Sequence, residues 1–204
     1  RYDKKRISNL MNTNEFEVFN KTNFLPYKSK LDNFFDQVTK GSDKLAKNYN
    51  IDYNELDDLT LIVHKDEIVA FSSVLYRNTW PKNCRRILNR FIRNKSLEWT
   101  DNTFGTLSRI MHDKQIEFCK ENKFDFVFLS MQGNKRNYFK RWSEQANLYS
   151  PGWVQVDGMI RVCNGTPANC VQHIVYKNIT NTPEKFGMLS NIISYAEYET
   201  MISV

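Results

Sequence analysis

Apolar positions in the central half of the chain follow two different periods. Residues 59–64 and 67–76 are rich in Leu, Ile, Val and Phe, with a polar break at Lys65 and Asp66, which predicts a β-hairpin. Residues 84–93 alternate loosely between charged and apolar side chains, carry Ile87, Phe91 and Ile92, and contain neither Gly nor Pro, so another strand is expected there. A polar loop is expected over 94–103. From Phe104 the period changes: Leu107, Ile110, Met111, Ile116 and Cys119 recur at three- and four-residue steps, on one side of a helix ending near Asn122. Residues 124–131 are then an almost unbroken, aromatic-rich apolar run, as in a strand buried on both faces. A strand, a helix and a second apolar strand predict a parallel pair joined by a crossover, which is almost always right-handed.

The flanking segments are read from their punctuation. Pro26 opens a helical stretch in which Leu31, Phe34, Phe35 and Val38 share a face and which Gly41 stops; residues 42–49 form a second short helix. Residues 1–8, with Lys4, Lys5 and Arg6, read as a frayed terminus or an edge strand, and 14–24 mixes aromatic residues with Asn without a clear period. Residues 77–83, with Trp80 and Pro81, connect the hairpin to the strand at Cys84. After Gln132 and Gly133 a helical pattern resumes over 134–146 with Tyr138, Phe139 and Trp142. Ser150, Pro151 and Gly152 break the chain, and 153–162 with 170–176 read as a closing hairpin. Thr182 and Pro183 start a last helix carrying Met188, Leu189, Ile192, Ile193 and Tyr195. The expectation is a single domain over 1–204, with a core at about 26–177 and a helical extension at about 182–201.

Composition narrows the class. A chain of 204 residues with 41% hydrophobic and 14% aromatic residues is long and apolar enough to bury a core, which excludes a disordered chain. No apolar run approaches the roughly 18 residues needed to span a bilayer, and no signal-peptide pattern opens the sequence, so a cytoplasmic protein is expected. The four Cys lack metal-ligand spacing and point to a reducing compartment. Cys84 and Cys119 read as small buried residues, whereas Cys163 and Cys170 bracket a turn-rich insert that could bring them within bridging distance. A net charge of +6 favours an anionic partner without choosing among a phosphorylated cofactor, nucleic acid and an acidic protein face. Basic residues at Arg85, Arg86, Lys135, Arg136, Lys140 and Arg141 interleave with aromatics, so a nucleic-acid surface stays open beside the plainer reading of a solvated face. Asn20, Asn164 and Asn178 open formal glycosylation triplets, which without a secretory signal are chance matches in an Asn-rich chain. His64 and His173 have no second ligand nearby in the sequence and read as structural; no metal is expected. No Gly-rich kinase or dinucleotide motif and no nucleophile elbow is present.

The order of elements over 59–176 resembles the acyl-CoA N-acyltransferases of the GNAT superfamily, with Arg86 to Phe128 in the place of their central cofactor-binding segment. The resemblance implies an α/β fold of α+β type: an antiparallel hairpin leads into a β-α-β crossover on a mixed sheet, followed by a closing hairpin. It also implies acetyl-CoA as cosubstrate and an amine as acceptor, and makes the two helices after Pro26 the place to seek acceptor specificity. In the family the fourth and fifth strands splay apart around the pantetheine arm. Here that places backbone groups of Asn89, Phe91 and Arg93 on one side and of Ser130 on the other, with Ile92 also among the implied cofactor-binding residues. The pyrophosphate would rest on N–H groups at the start of the next helix, where uncompensated donors and the helix dipole favour an anion. The corresponding residues are Phe104, Gly105, Thr106 and Leu107, with Arg109 one turn on. Gly105 stands there alone, whereas the family pattern is a basic or Gln residue followed by two spaced Gly or Ala.

Acyl transfer to an amine needs a neutral nucleophile, a polarised carbonyl and a proton source for the leaving thiolate. In many members a carboxylate on the fourth strand is the base and a Tyr in the fourth helix is the acid. Residues 84–93 carry Arg85, Arg86, Asn89, Arg90 and Arg93 but no carboxylate, and Glu98, Asp101 and His112 lie beyond the strand. Tyr138 is the match for the acid and Asn134 for a pantetheine contact. The alternative is a GNAT-like protein without catalysis that binds nucleic acid or a protein through its basic face.

Overall fold

The computed structural model describes residues 13–39, 52–76, 78, 80–132, 153–161 and 171–181; at 38–39, 130–132, 153–161 and 171–175 the description covers the backbone. In chain order the elements are β1 (Glu17–Asn20), α1 (Lys28–Thr39), β2 (Leu56–His64), β3 (Glu67–Leu75), β4 (Cys84–Phe91), α2 (Asp101–Glu121), β5 (Phe126–Gln132), β6 (Trp153–Arg161) and β7 (Val171–Asn178). Among the described residues seven strands form one mixed sheet in the order β1-β2-β3-β4-β5-β7-β6, in which only β4 and β5 run parallel. The expected hairpin, crossover unit and closing hairpin are all present. The expected helices at 42–49, 134–146 and 182–201, and the Cys163–Cys170 question, lie outside the described residues.

Local chemistry sets the boundaries. Lys65 and Asp66 take positive φ of 49° and 63°, so the β2–β3 hairpin closes through a two-residue left-handed turn with His64 opposite Glu67. That turn twists with the strands it joins. Lys30 of α1 reaches across to Asp66 at 2.7 Å. Residues 14–24, to which the sequence pattern assigns no element, contain strand β1. Its sequence, Glu17, Val18, Phe19, Asn20, has no period long enough to read, and it is a strand because residues 60–63 of β2 offer it an edge.

Alternation along β2 divides the core. Leu59, Leu61 and Val63 face Leu31 and Phe35 of α1 together with Phe71. Ile62 faces the opposite way, with Leu107 and Met111 of α2. A register shift between Ile62 and Val63 turns both Val69 and Ala70 of β3 onto the α2 face. Farther along α2, Cys119 packs with Val74, Ile87, Val127 and Leu129. Phe126, Val127, Phe128 and Leu129 are all buried, so β5 is the central strand its composition predicts. Each such fully buried large side chain contributes about 1.5–3 kcal/mol. Cys84 and Cys119 are free, buried thiols whose pKa values burial pushes up to about 12, which keeps them unreactive.

Candidate functional site

The parallel pair is short. β4 and β5 are in register at Cys84 with Phe126, Arg85 with Val127 and Arg86 with Phe128, and their pairing ends there. Neither strand ends with it: β4 stays paired to β3 as far as Phe91, and β5 to β7 as far as Gln132. The two strands therefore diverge toward their C-terminal ends and leave a gap in the middle of the sheet.

Strand geometry shows which backbone groups face that gap. Asn83 accepts from the N–H of Phe126 at 3.1 Å, so its carbonyl points toward β5, while the N–H of Ile92 donates to Val69 of β3 at 2.9 Å. Because direction alternates residue by residue, Ile87, Asn89 and Phe91 face the β5 side, where the N–H of Ile87 closes the last bridge to Phe128 and Asn89 and Phe91 face the gap, while Leu88, Arg90 and Ile92 turn to β3. The carbonyl of Asn89 accepts from Nη1 of Arg90 at 3.1 Å, as a carbonyl on the open side can. Asn89 and Phe91 thus face the open side of β4. The N–H of Ile92 is taken by β3, and its carbonyl accepts from Asn94 Nδ2 at 3.4 Å. Arg93 lies past the strand end, exposed, with its guanidinium 4.9 Å from the Phe104 ring centroid. Ser130 lies in the stretch of β5 that pairs with β7, opposite Ile174.

A built loop joins the gap to α2. Asn94 organises it: Nδ2 donates to Ile68 O at 2.8 Å, and Oδ1 accepts from the N–H and Oγ of Ser96 at 3.0 and 2.7 Å. The Asn94 carbonyl accepts from Trp99 Nε1 at 3.0 Å. Trp99, Phe91 and Phe104 then form an aromatic cluster with centroids 5.1–6.5 Å apart. His64, near Ser96 at 3.4 Å and Phe16 at 5.6 Å, is a structural part of this end of the sheet.

The helix starts earlier than its apolar period. Thr100 is the N-cap, and it and Thr103 form a reciprocal capping box, with Thr103 N–H donating to Thr100 Oγ1 at 3.2 Å. Phe104 N–H donates to Thr100 O at 3.1 Å. This corrects the expected anion cradle at 104–107: Phe104, Gly105, Thr106 and Leu107 lie within the helix, where their N–H groups are bonded to the preceding turn. The N–H groups of Asp101 and Asn102 are the ones left without an acceptor inside the helix. Gly105 and Leu107 are buried, and Thr106 Oγ1 bonds back to Asn102 O at 2.9 Å. Arg109 is exposed and extends down the helix toward Asp113 at 3.7 Å, away from the N-terminus. Tyr138 and Asn134 lie outside the described residues.

Two polar groups flank the closed part of the pair. Arg85 is 8% exposed, stacked on Tyr76 and Phe124 with its guanidinium carbon 4.3 and 3.6 Å from their centroids, and paired with Asp57 at 2.6 Å. On the α2 face, His112 is buried and its pKa lies near 4, held down by burial and by the charge of Lys177, with Gln115 opposing the shift. Gln115 donates from Nε2 to Asn89 Oδ1 at 2.9 Å. Sequence reasoning missed Asn94, the Thr100–Thr103 box and Gln115. The box was readable as Thr-x-x-Thr ahead of an apolar run, and Gln115 as a polar member of the row Leu107, Met111, Gln115, Cys119. A cavity of about 330 Å³ lined by Glu55, Leu75, Tyr76 and Asn78 lies at the other end of β3, beside the closed part of the pair rather than the gap. Among the described residues no group of three His, Cys, Asp or Glu could hold a metal ion, and no helix is long and apolar enough to cross a membrane.

A mixed sheet whose one parallel pair parts midway, beside the N-terminus of the crossover helix, has the fold of the GNAT acyl-CoA N-acyltransferases. Solved structures agree. A probable acetyltransferase from Staphylococcus epidermidis superposes with a TM-score of 0.56 at 15% identity over 81% of this chain and 99% of its own. A GNAT-family acetyltransferase from Streptococcus pneumoniae gives 0.54 at 12% identity over 79% and 99%. The aminoglycoside 6'-acetyltransferase type Ii gives 0.51 at 12% identity over 82% and 99%. No protein-family model matches the sequence, and no curated protein does. At these identities the likeness is one of fold.

Proposed function

We propose that the chain is an acetyl-CoA-dependent N-acetyltransferase. The observation that carries this reading is the gap between β4 and β5, toward which Asn89 and Phe91 turn backbone groups that no described strand pairs with. A thioester arm with two amides is a suitable occupant, because amides lying alongside a strand edge complete its hydrogen bonds. On this reading Asn89 and Phe91 hold the arm from one side and Ser130 from the other. The pyrophosphate lies at the start of α2 on the free N–H groups of Asp101 and Asn102, with Arg93 as the nearby cation. Asn134 contacts the arm, and Tyr138 protonates the leaving thiolate. The acceptor is an amine, and the reaction needs no metal.

The test is calorimetric and thermal titration of the whole chain with acetyl-CoA, CoA and single-stranded DNA, followed by a thiol-release assay against a panel of amines. Acetyl-CoA at about 100 times its dissociation constant should stabilise the fold by about 2.7 kcal/mol. No binding of acetyl-CoA or CoA by folded protein sinks the reading, and stabilisation by DNA alone would favour a non-catalytic binder of nucleic acid.

A further inference from the structure

What makes β4 and β5 part is not a bulge in β4. Against β3 that strand runs without a register shift from Arg86 opposite Leu75 to Phe91 opposite Ala70. Three residues past its last pairing with β5, its side-chain pattern changes character. Asn89 turns toward α2, and its Oδ1 accepts from Gln115 Nε2 at 2.9 Å. Gln115 is 1% exposed and stands in the helix row that otherwise packs Leu107, Met111 and Cys119 on the sheet. Opposite Asn89 on β3 is Ser72, fully buried, whose hydroxyl has no partner among the described residues. His112, 2% exposed, lies one turn before Gln115. A polar patch therefore occupies the helix–sheet interface where β4 leaves β5.

A buried amide pair does something an apolar pair does not: it has a required length and direction, so it fixes where the strand lies against the helix. Apolar side chains of the same volume would allow β4 to slide sideways until its ladder with β5 continued. The two strands answer to different supports. β5 is held by β7 along its whole length and by Val127 and Leu129 in the core, whereas β4 beyond Arg86 is held by β3, by Ile87 and Phe91 packed beneath α2, and by the bond from Gln115 to Asn89 between them.

We infer that Asn89 and Gln115 are a positioning pair that holds β4 away from β5 and so keeps the gap open for its ligand. The ligand part of this statement rests on the acetyl-CoA reading; the strand geometry does not. The test compares wild type with the double variant Asn89→Leu/Gln115→Leu. Removing both partners together leaves neither amide unpaired, which favours retention of the fold even though buried His112 loses its hydrogen bond with Gln115. Gln115→Met, which removes the donor at similar volume, is the second variant. Residue-resolved hydrogen exchange should show the amides of residues 89 and 91 exchanging at least tenfold more slowly in the variant than in wild type, as β4 closes onto β5. Acetyl-CoA affinity should fall at least tenfold, about 1.4 kcal/mol. Unchanged exchange at those two amides in a folded variant overturns the inference. Failure of wild type to bind acetyl-CoA would instead sink the proposed function and leave the exchange comparison standing.

Discussion

Arg85→Met should cost this protein a large share of its stability. The guanidinium does four things at once: its Nη1 donates to Lys82 O at 2.7 Å and to Cys84 O at 2.8 Å, it lies between the Tyr76 and Phe124 rings, and it neutralises Asp57 at 2.6 Å. The Asp57 contact is close but not aligned as a hydrogen bond, so its value is that of charge neutralisation. A desolvated cation–π contact contributes about 2 kcal/mol. Removing one member of a fully buried pair costs about 3–5 kcal/mol, but the Asp57 side chain is 32% exposed, so water takes up part of its charge. These effects overlap and are not summed, so about 2–4 kcal/mol is expected, against a typical domain stability of about 5–15 kcal/mol. Arg85→Lys keeps the charge and loses the planar fork and stacking, so a loss of about 1–3 kcal/mol is expected. Because Arg85 pairs with Val127, the change also loosens the closed part of the β4–β5 pair on which the gap is hinged. Urea denaturation followed by Trp fluorescence measures both. A loss below about 1 kcal/mol for Arg85→Met, at an unchanged m-value, would refute the argument.

Two further outcomes are expected. Gly105 is buried inside α2, so Gly105→Val should destabilise by about 1–3 kcal/mol through overpacking; urea denaturation alongside acetyl-CoA calorimetry will separate that loss from any loss of affinity, and an unchanged midpoint would contradict the packing argument. His112 has its folded pKa lowered from 6.5 to about 4, so the unfolded chain binds the proton first. Its contribution is therefore present above pH 6.5 and is lost as pH falls toward 4, by on the order of 3 kcal/mol. Melting temperatures from pH 7 to 4.5 should fall less steeply for His112→Leu than for wild type, and parallel profiles would count against the burial.

Alternation and period alone determined much of this protein. The β2–β3 hairpin, the strand at β4, the helix through Leu107, Met111 and Cys119, and the apolar β5 all follow from side chains within a few residues of one another, because strand and helix repeat on that scale. The element order they give is enough to suggest the fold. Other features depended on neighbours brought from a distance. β1 exists because β2 has an edge for it, and the start of α2 is set by one threonine bonding to another rather than by the first apolar residue. The use of Ile92's N–H by Val69 moves it out of the candidate site. Above all, the parting of β4 and β5 is expected only from the resemblance, since nothing in residues 84–91 or 126–132 says where their ladder stops. That is decided in three dimensions, where a strand must satisfy its backbone on one side and its side chains on two faces at once. Asn89 meets Gln115 26 residues away only after the crossover has laid α2 over the sheet.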